Sequence, residues 1–201
     1  YAADYARNIN AVALSKNGNG ITPQPIFSDS QIQAFGSSGG TDWQDQIYRT
    51  ATIQNHLLSL SGGTDRLSYR LSAGYLNQQG ILLKSAYKRY SLRANVKAEV
   101  SSHVNFGLNW AGAKETTNSV LFGNATDWPN NPIGAAIRFS PTIPVYDSIG
   151  NYSRAALKYA NPTLWNPVAS TLEPFIENNV WRNNVNAYLE FLIVKGLTLK
   201  I

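Results

Sequence analysis

From Gln54 onward the chain alternates apolar and polar residues with a period of two, as strands do when one face is buried and the other is wet. The alternation is clearest where Leu67, Tyr69, Leu71, Ala73 and Tyr75 are interleaved with Ser68, Arg70, Ser72 and Gly74. Leu58 and Leu60, with Leu57 and Ser59, belong to a preceding strand. A third sets Tyr90, Leu92, Ala94, Val96 and Ala98 against Arg89, Ser91, Arg93, Asn95, Lys97 and Glu99. The fourth sets Val104, Phe106, Leu108 and Trp110 against Asn105, Gly107 and Asn109. After a long interruption, Trp181, Val185, Ala187, Leu189 and Phe191 resume the pattern opposite Arg182, Asn184 and Asn186. Leu197, Leu199 and Ile201 open a sixth strand, inside which the sequence stops, as a truncated chain would.

The connections are unequal. Short turns are predicted at Gly62-Gly63, Ser101-Ser102 and Lys195-Gly196, a longer link from Asn77 to Ala86, and a very long one after Ala113. Long strands with short turns at one end and long loops at the other are the habit of outer-membrane barrels. The reading divides the chain into four parts. Residues 1–53 are irregular and short-helical: a helix over Tyr1–Leu14 on Tyr5, Ile9 and Val12, a turn or two over Asp29–Phe35 capped by Ser28 or Asp29, and a Gly36–Gly40 link. Residues 54–112 are four barrel strands. Residues 113–179 are an extracellular loop with a short helix at Ile133–Phe139 behind Pro132. Residues 180–201 are two further strands. The fold class is therefore all-β: an antiparallel transmembrane β-barrel segment with one long loop containing a short helix. A soluble β-sandwich that binds glycans through the loop alternates in the same way and is the alternative.

Composition sharpens this picture. Charged residues are 14% of the 201, against about a quarter in soluble domains. Asn, Ser, Thr, Gly and Tyr fill the gap, as a wet lumen with an aromatic wall requires. The net charge of +5 is scattered, so no nucleic-acid patch is expected. The chain has no cysteine, hence no disulfide and no thiolate ligand. It also has no methionine, as in a processed chain. No apolar run nears the ~20 residues of a membrane helix, so any crossing is by strands. His56 and His103 lack ligand spacing. The pairs Asp42/Asp45 and Glu173/Glu177, the latter split by Pro174, are too common to imply glycoside hydrolysis. Neither an enzyme nor a cofactor is expected.

Several blocks resemble a known family. Thr41-Asp42-Trp43-Gln44-Asp45-Gln46-Ile47-Tyr48-Arg49, Leu58-Ser59-Leu60-Ser61-Gly62-Gly63, Tyr69-Arg70-Leu71-Ser72-Ala73-Gly74-Tyr75 and Lys88-Arg89-Tyr90-Ser91-Leu92-Arg93 are similar to the SusC/RagA class of TonB-linked outer-membrane transporters of Bacteroidetes. Pro144-Val145-Tyr146-Asp147, Gly150-Asn151-Tyr152 and Asn161-Pro162 match its long loop. The resemblance implies a barrel with an internal plug, a SusD-like surface lipoprotein as lid, energy from the TonB complex through a missing N-terminal part, and oligosaccharide or peptide cargo in a Gram-negative outer membrane.

On this reading the loop aromatics Trp128, Tyr146, Tyr152 and Trp165 are candidates for cargo contact, since rings stack on apolar sugar faces. Packing of the loop against the barrel, or contact with the lid, is the plainer role for the same rings. Arg70, Arg89, Arg93, Asn95, Arg182 and Asn184 are expected to face the lumen. Tyr69, Leu71, Tyr75, Leu92, Leu108 and Trp110 are expected to face outer-membrane lipid, some in an aromatic girdle.

Overall fold

The computed structural model describes residues 1–15, 24–120, 131–155, 164–174 and 176–201. In chain order the elements are α1 (Ala2–Ser15), α2 (Asp29–Ser38), α3 (Trp43–Ile47), β1 (Ile53–Thr64), β2 (Leu67–Gln79), β3 (Ala86–Ser101), β4 (Val104–Ser119), α4 (Pro132–Arg138), α5 (Pro167–Leu172), β5 (Ile176–Val194) and β6 (Leu197–Lys200). They form two compact units. The sheet unit is Ala51–Gly80, Ser85–Ser119 and Glu177–Ile201; the loop unit is Tyr1–Thr50, Ile81–Lys84 and Val120–Ile176.

The sheet unit is a meander in sequence order, β1 through β6. Its register keeps the apolar residues of successive strands on one face. Leu60 pairs Leu71, Leu71 pairs Ala94, and Ala94 pairs Trp110. One residue along, Ser59 pairs Ser72, Ser72 pairs Arg93, and Arg93 pairs Ala111. A slip by one residue would put arginines among leucines, so the pattern fixes the register. Tight turns at Asp65-Arg66, Ser102-His103 and Lys195-Gly196 lie at one end of the meander. The β2–β3 and β4–β5 connections leave from the other end, where β1 enters.

Four strands outrun their predicted ends. β1 keeps Gly62 and Gly63 as paired strand residues, so the turn falls at Asp65-Arg66, and β2 runs through Asn77 to Gln79. β4 continues to Ser119 and β5 starts at Ile176, so the link between them is shorter than residues 113–179. Polar residues occupy both faces there, which hides the alternation but leaves the ladder intact: Tyr87 pairs Thr117 and Lys88 pairs Thr116. The Thr116 hydroxyl donates to Asn179 Oδ1 at 2.6 Å, tying the extension of β4 to β5.

The loop unit has its own core. Trp43, Ile47, Leu82, Val120, Ala136, Phe139, Ile143, Leu164 and Val168 are buried together. Trp43 is fully buried, its indole N–H donates to Ser140 O at 2.9 Å, and its ring meets Phe139 edge-on at 4.6 Å. Asp42 makes this possible by capping α3, its carboxylate accepting from Gln44 N and Asp45 N. The five-residue helix then turns Trp43 and Ile47, one turn apart, to the same side. Leu83 N donates to Ile47 O at 2.9 Å, which joins the β2–β3 connection to this core.

The predicted Gly36–Gly40 link is corrected in part. Ser28 caps α2 with a complete capping box, and the helix runs past Phe35 to Ser38 before Gly39, at φ +74°, ends it. Among its described residues the long connection holds two helices where one was expected. Both start alike: Asn131 before Pro132 and Asn166 before Pro167 each cap the first turn, with proline at N1 where no N–H is missed.

Candidate functional site

Val145 to Ser153 fold back as a short hairpin in the loop unit. Ser153 N donates to Val145 O at 3.0 Å, and Tyr146 and Tyr152 form the cross-strand pair. Their rings stack at 5.1 Å. Asp147 shapes the tip: its Oδ1 accepts from Ile149 N at 3.0 Å and Asn151 N at 2.8 Å. Gly150, at φ +86°, takes the left-handed position that closes the turn.

Buried Asn166 fastens the hairpin to α5. Its Nδ2 donates to Val145 O at 2.9 Å and Ser153 O at 3.1 Å, while its Oδ1 accepts from Val168 N and Ala169 N. One amide thus caps the helix and holds both hairpin strands. Between these parts opens a cleft of about 1190 Å³, lined by Asp147, Asn151, Tyr152, Arg154, Trp165 and Glu173 among others. Trp165 is 57% exposed while its neighbour Leu164 is buried, so the indole stands at the cleft and not in the core. Burial raises the Tyr152 hydroxyl above the usual tyrosine range, and the Tyr146 hydrogen bond and the Glu173 carboxylate push the same way. At neutral pH Tyr152 is therefore a protonated phenol. An aromatic pair, a free indole and both signs of charge around a wide opening suit a bulky polar ligand.

Of the four loop aromatics singled out by sequence, Tyr152 and Trp165 line this cleft and Tyr146 stacks behind Tyr152. Trp128 lies outside the described residues, as does Asn161-Pro162. The sequence reading missed Asn166 as the organiser, although the Asn-Pro signature it shares with Asn131-Pro132 was available. It also missed Lys84, whose ammonium bonds the carbonyls of Leu172 and Pro174 at the end of α5.

The sheet separates the other two groups of residues. Tyr69, Leu71, Tyr75, Leu92, Leu108 and Trp110 share one face, linked rung by rung through Val96, Ala94, Tyr90, Ala73 and Gly112. Arg70, Arg89, Arg93 and Asn95 share the other. Arg182 joins them, its Nε donating to Glu115 Oε2 at 3.4 Å across from Arg89, and alternation puts Asn184 beside it. On this polar face the Tyr188 ring lies where any Cβ at Gly107 would be, under the Lys200 ammonium at 3.6 Å. The apolar face is open: Leu58 is 75% exposed and Leu92 52%. Rows of exposed apolar side chains of this kind are uncommon on soluble monomers. Among the described residues no helix is long and apolar enough to cross a membrane.

This is a segment of an antiparallel, outer-membrane-type β-barrel, its sheet unclosed and accompanied by a few short helices. The solved structure of the RagAB peptide transporter has the same fold, with a TM-score of 0.70 over 98% of this chain and 24% of that one, at 23% identity. No family model matches. The TonB-dependent receptor P3 of Formosa agariphila is 28% identical over 95% of this chain. The TonB-dependent receptor SusC of Bacteroides thetaiotaomicron is 34% identical over 57% of it. These spans are 19% and 11% of the two relatives, so the chain covers a fifth of their length or less. Within its class the chain thus resembles SusC/RagA-type TonB-linked transporters, and the likeness is to a piece of the barrel.

Proposed function

We propose that the sheet is a stretch of the wall of a TonB-dependent outer-membrane importer and that the loop unit helps build its extracellular mouth. The observation that carries this reading is the two-faced sheet: an exposed apolar face, a polar face with Arg70, Arg89, Arg93 and Arg182, tight turns at one end and long connections at the other. A wall of this kind leaves no backbone group unpaired in lipid once its edges are joined to further strands. The apolar face then meets lipid and the arginine face lines the lumen. The cargo is an oligosaccharide or peptide, and Tyr146, Tyr152 and Trp165 contact it at the mouth. A SusD-like lipoprotein lid and the TonB complex, engaged by another part of the protein, complete the importer.

The test is a pair of substitutions in the full-length protein, read as the amount assembled in the outer membrane. Leu71→Arg puts a cation in the middle of the apolar face, at a cost of about 2–4 kcal/mol, and assembly is expected to fall severely. Ser72→Arg, one residue along and on the polar face, is expected to leave it intact. Wild-type assembly of Leu71→Arg would show that this face does not meet lipid.

A further inference from the structure

The apolar face is nearly free of charge, and its few charges are gathered at one end. Among the described strand residues that share it, the charged side chains are Lys88, Lys114 and Glu177. All lie toward the end where β1 enters the sheet. Tyr90 pairs Lys114 and Lys88 pairs Thr116, so the two lysines are diagonal neighbours on adjacent strands, a relation that sets such residues about 7–8 Å apart. Glu177 lies beyond them and is held by Asn179 Nδ2 at 2.8 Å. A row of rings stands level with Lys114 and one step inward from Lys88. His56 stacks on Tyr75, Tyr75 and Tyr90 approach to 5.0 Å, and the Lys114 ammonium stands 5.3 Å from the Trp181 ring. Past that row come Leu58, Ala73 and Leu92, with no charge.

Rings of this kind settle at headgroup level in a membrane, and lysines at that level reach outward to water and phosphate. We propose that Lys88 and Lys114 bind the phosphate headgroup of an anionic membrane lipid, whose acyl chains run down the apolar face past Leu92. This proposal rests on the wall reading above. The order of chemistry along the face is what identifies the ligand: a cation at Lys88, a second cation at Lys114 among amphipathic rings, then aliphatic side chains. A phosphate on acyl chains carries the complementary order, whereas a free anion has no use for the rings and leucines.

The experiment uses the full-length protein in detergent, titrated with diphosphoryl lipid A and, in parallel, with phosphatidylcholine, whose headgroup has no net charge. Binding is read by native mass spectrometry. Lys88→Gln and Lys114→Gln are each expected to weaken lipid A binding about fivefold, as one lysine near an anionic surface does, and to leave phosphatidylcholine unchanged. Lys97→Gln removes the same charge from the opposite face, where Lys97 pairs Gly107, and is expected to change neither. Unchanged lipid A affinity in the Lys88 and Lys114 variants, or an equal loss with Lys97→Gln, overturns the proposal. A fluorophore on Leu92→Cys, exposed to brominated lipid in vesicles, separates the two levels. Quenching there with unaltered lipid A binding removes the lysine site alone. Absence of quenching removes the wall reading and the site with it.

Discussion

The two units solve the problem of apolar surface in opposite ways. In the sheet unit Leu58, Leu60, Leu71 and Leu92 are all at least 43% exposed, and order comes from rungs of paired backbone. In the loop unit Trp43 and Ile47 are wholly buried, and order comes from a closed core. The sheet's apolar face is a surface awaiting a solvent of its own kind. The loop unit brings its apolar surface together from three separate stretches of chain. Substitution should therefore act on the sheet through its surroundings and on the loop unit through its interior.

The largest break in that comparison is expected at Trp43. Trp43→Ala in the full-length protein removes the ring at the centre of the loop core and its bond to Ser140, costing about 3–5 kcal/mol. Hydrogen exchange should accelerate throughout α3 and α4 while the β1–β4 amides keep their protection. Equal acceleration in both units would mean that they fold as one body. A smaller effect, about 1–3 kcal/mol, is expected for Asn166→Ala, which takes the side-chain donor from the Ser153 carbonyl and leaves two helix N–H groups without their cap. Limited proteolysis should then cut the Val145–Ser153 hairpin first. If the hairpin stays resistant, Asn166 is not what fastens it.

The smallest effect is a matter of pH. Tyr152 has a raised hydroxyl pKa in the folded state, so folding stabilises its protonated form. Below the ordinary tyrosine value of about 10 that stabilisation is complete. It is lost as pH climbs past 10 toward the higher folded value. Alkali above pH 10 should loosen the hairpin in the wild type, followed by limited proteolysis at Val145–Ser153, and loosen it less in Tyr152→Phe. Identical alkaline profiles would place the sensitivity elsewhere.

The same comparison explains what could be read from sequence. Strand existence and facing are local, periodic properties, and Tyr69 to Tyr75 declare them without help. The pattern failed where both faces turn polar, at Lys114 to Ser119, because there the ladder continues without any contrast in hydrophobicity. The loop unit was less legible because its core is long-range. Asp42, Trp43 and Ile47 carry a cap and a helical spacing, but α3 is too short for periodicity to announce it, and nothing local says that Phe139 and Leu164 lie against it. The cleft fared better by residue type than by geometry: aromatic rings among polar loop residues marked Tyr146, Tyr152 and Trp165, while Asn166 looked like any polar loop residue.

The bond from Trp43 to the carbonyl of Ser140 spans 97 residues. Closing so long a stretch of free chain is slow, because its entropy is lost before any contact repays it. The hairpins β1–β2 and β3–β4 need only local closure, and each one formed shortens the effective path between those two residues. Folding of the loop core should therefore come late, as a latch that engages only after the strands before it are paired. In a cell, the accessibility of Trp43 would report which molecules have finished pairing their strands.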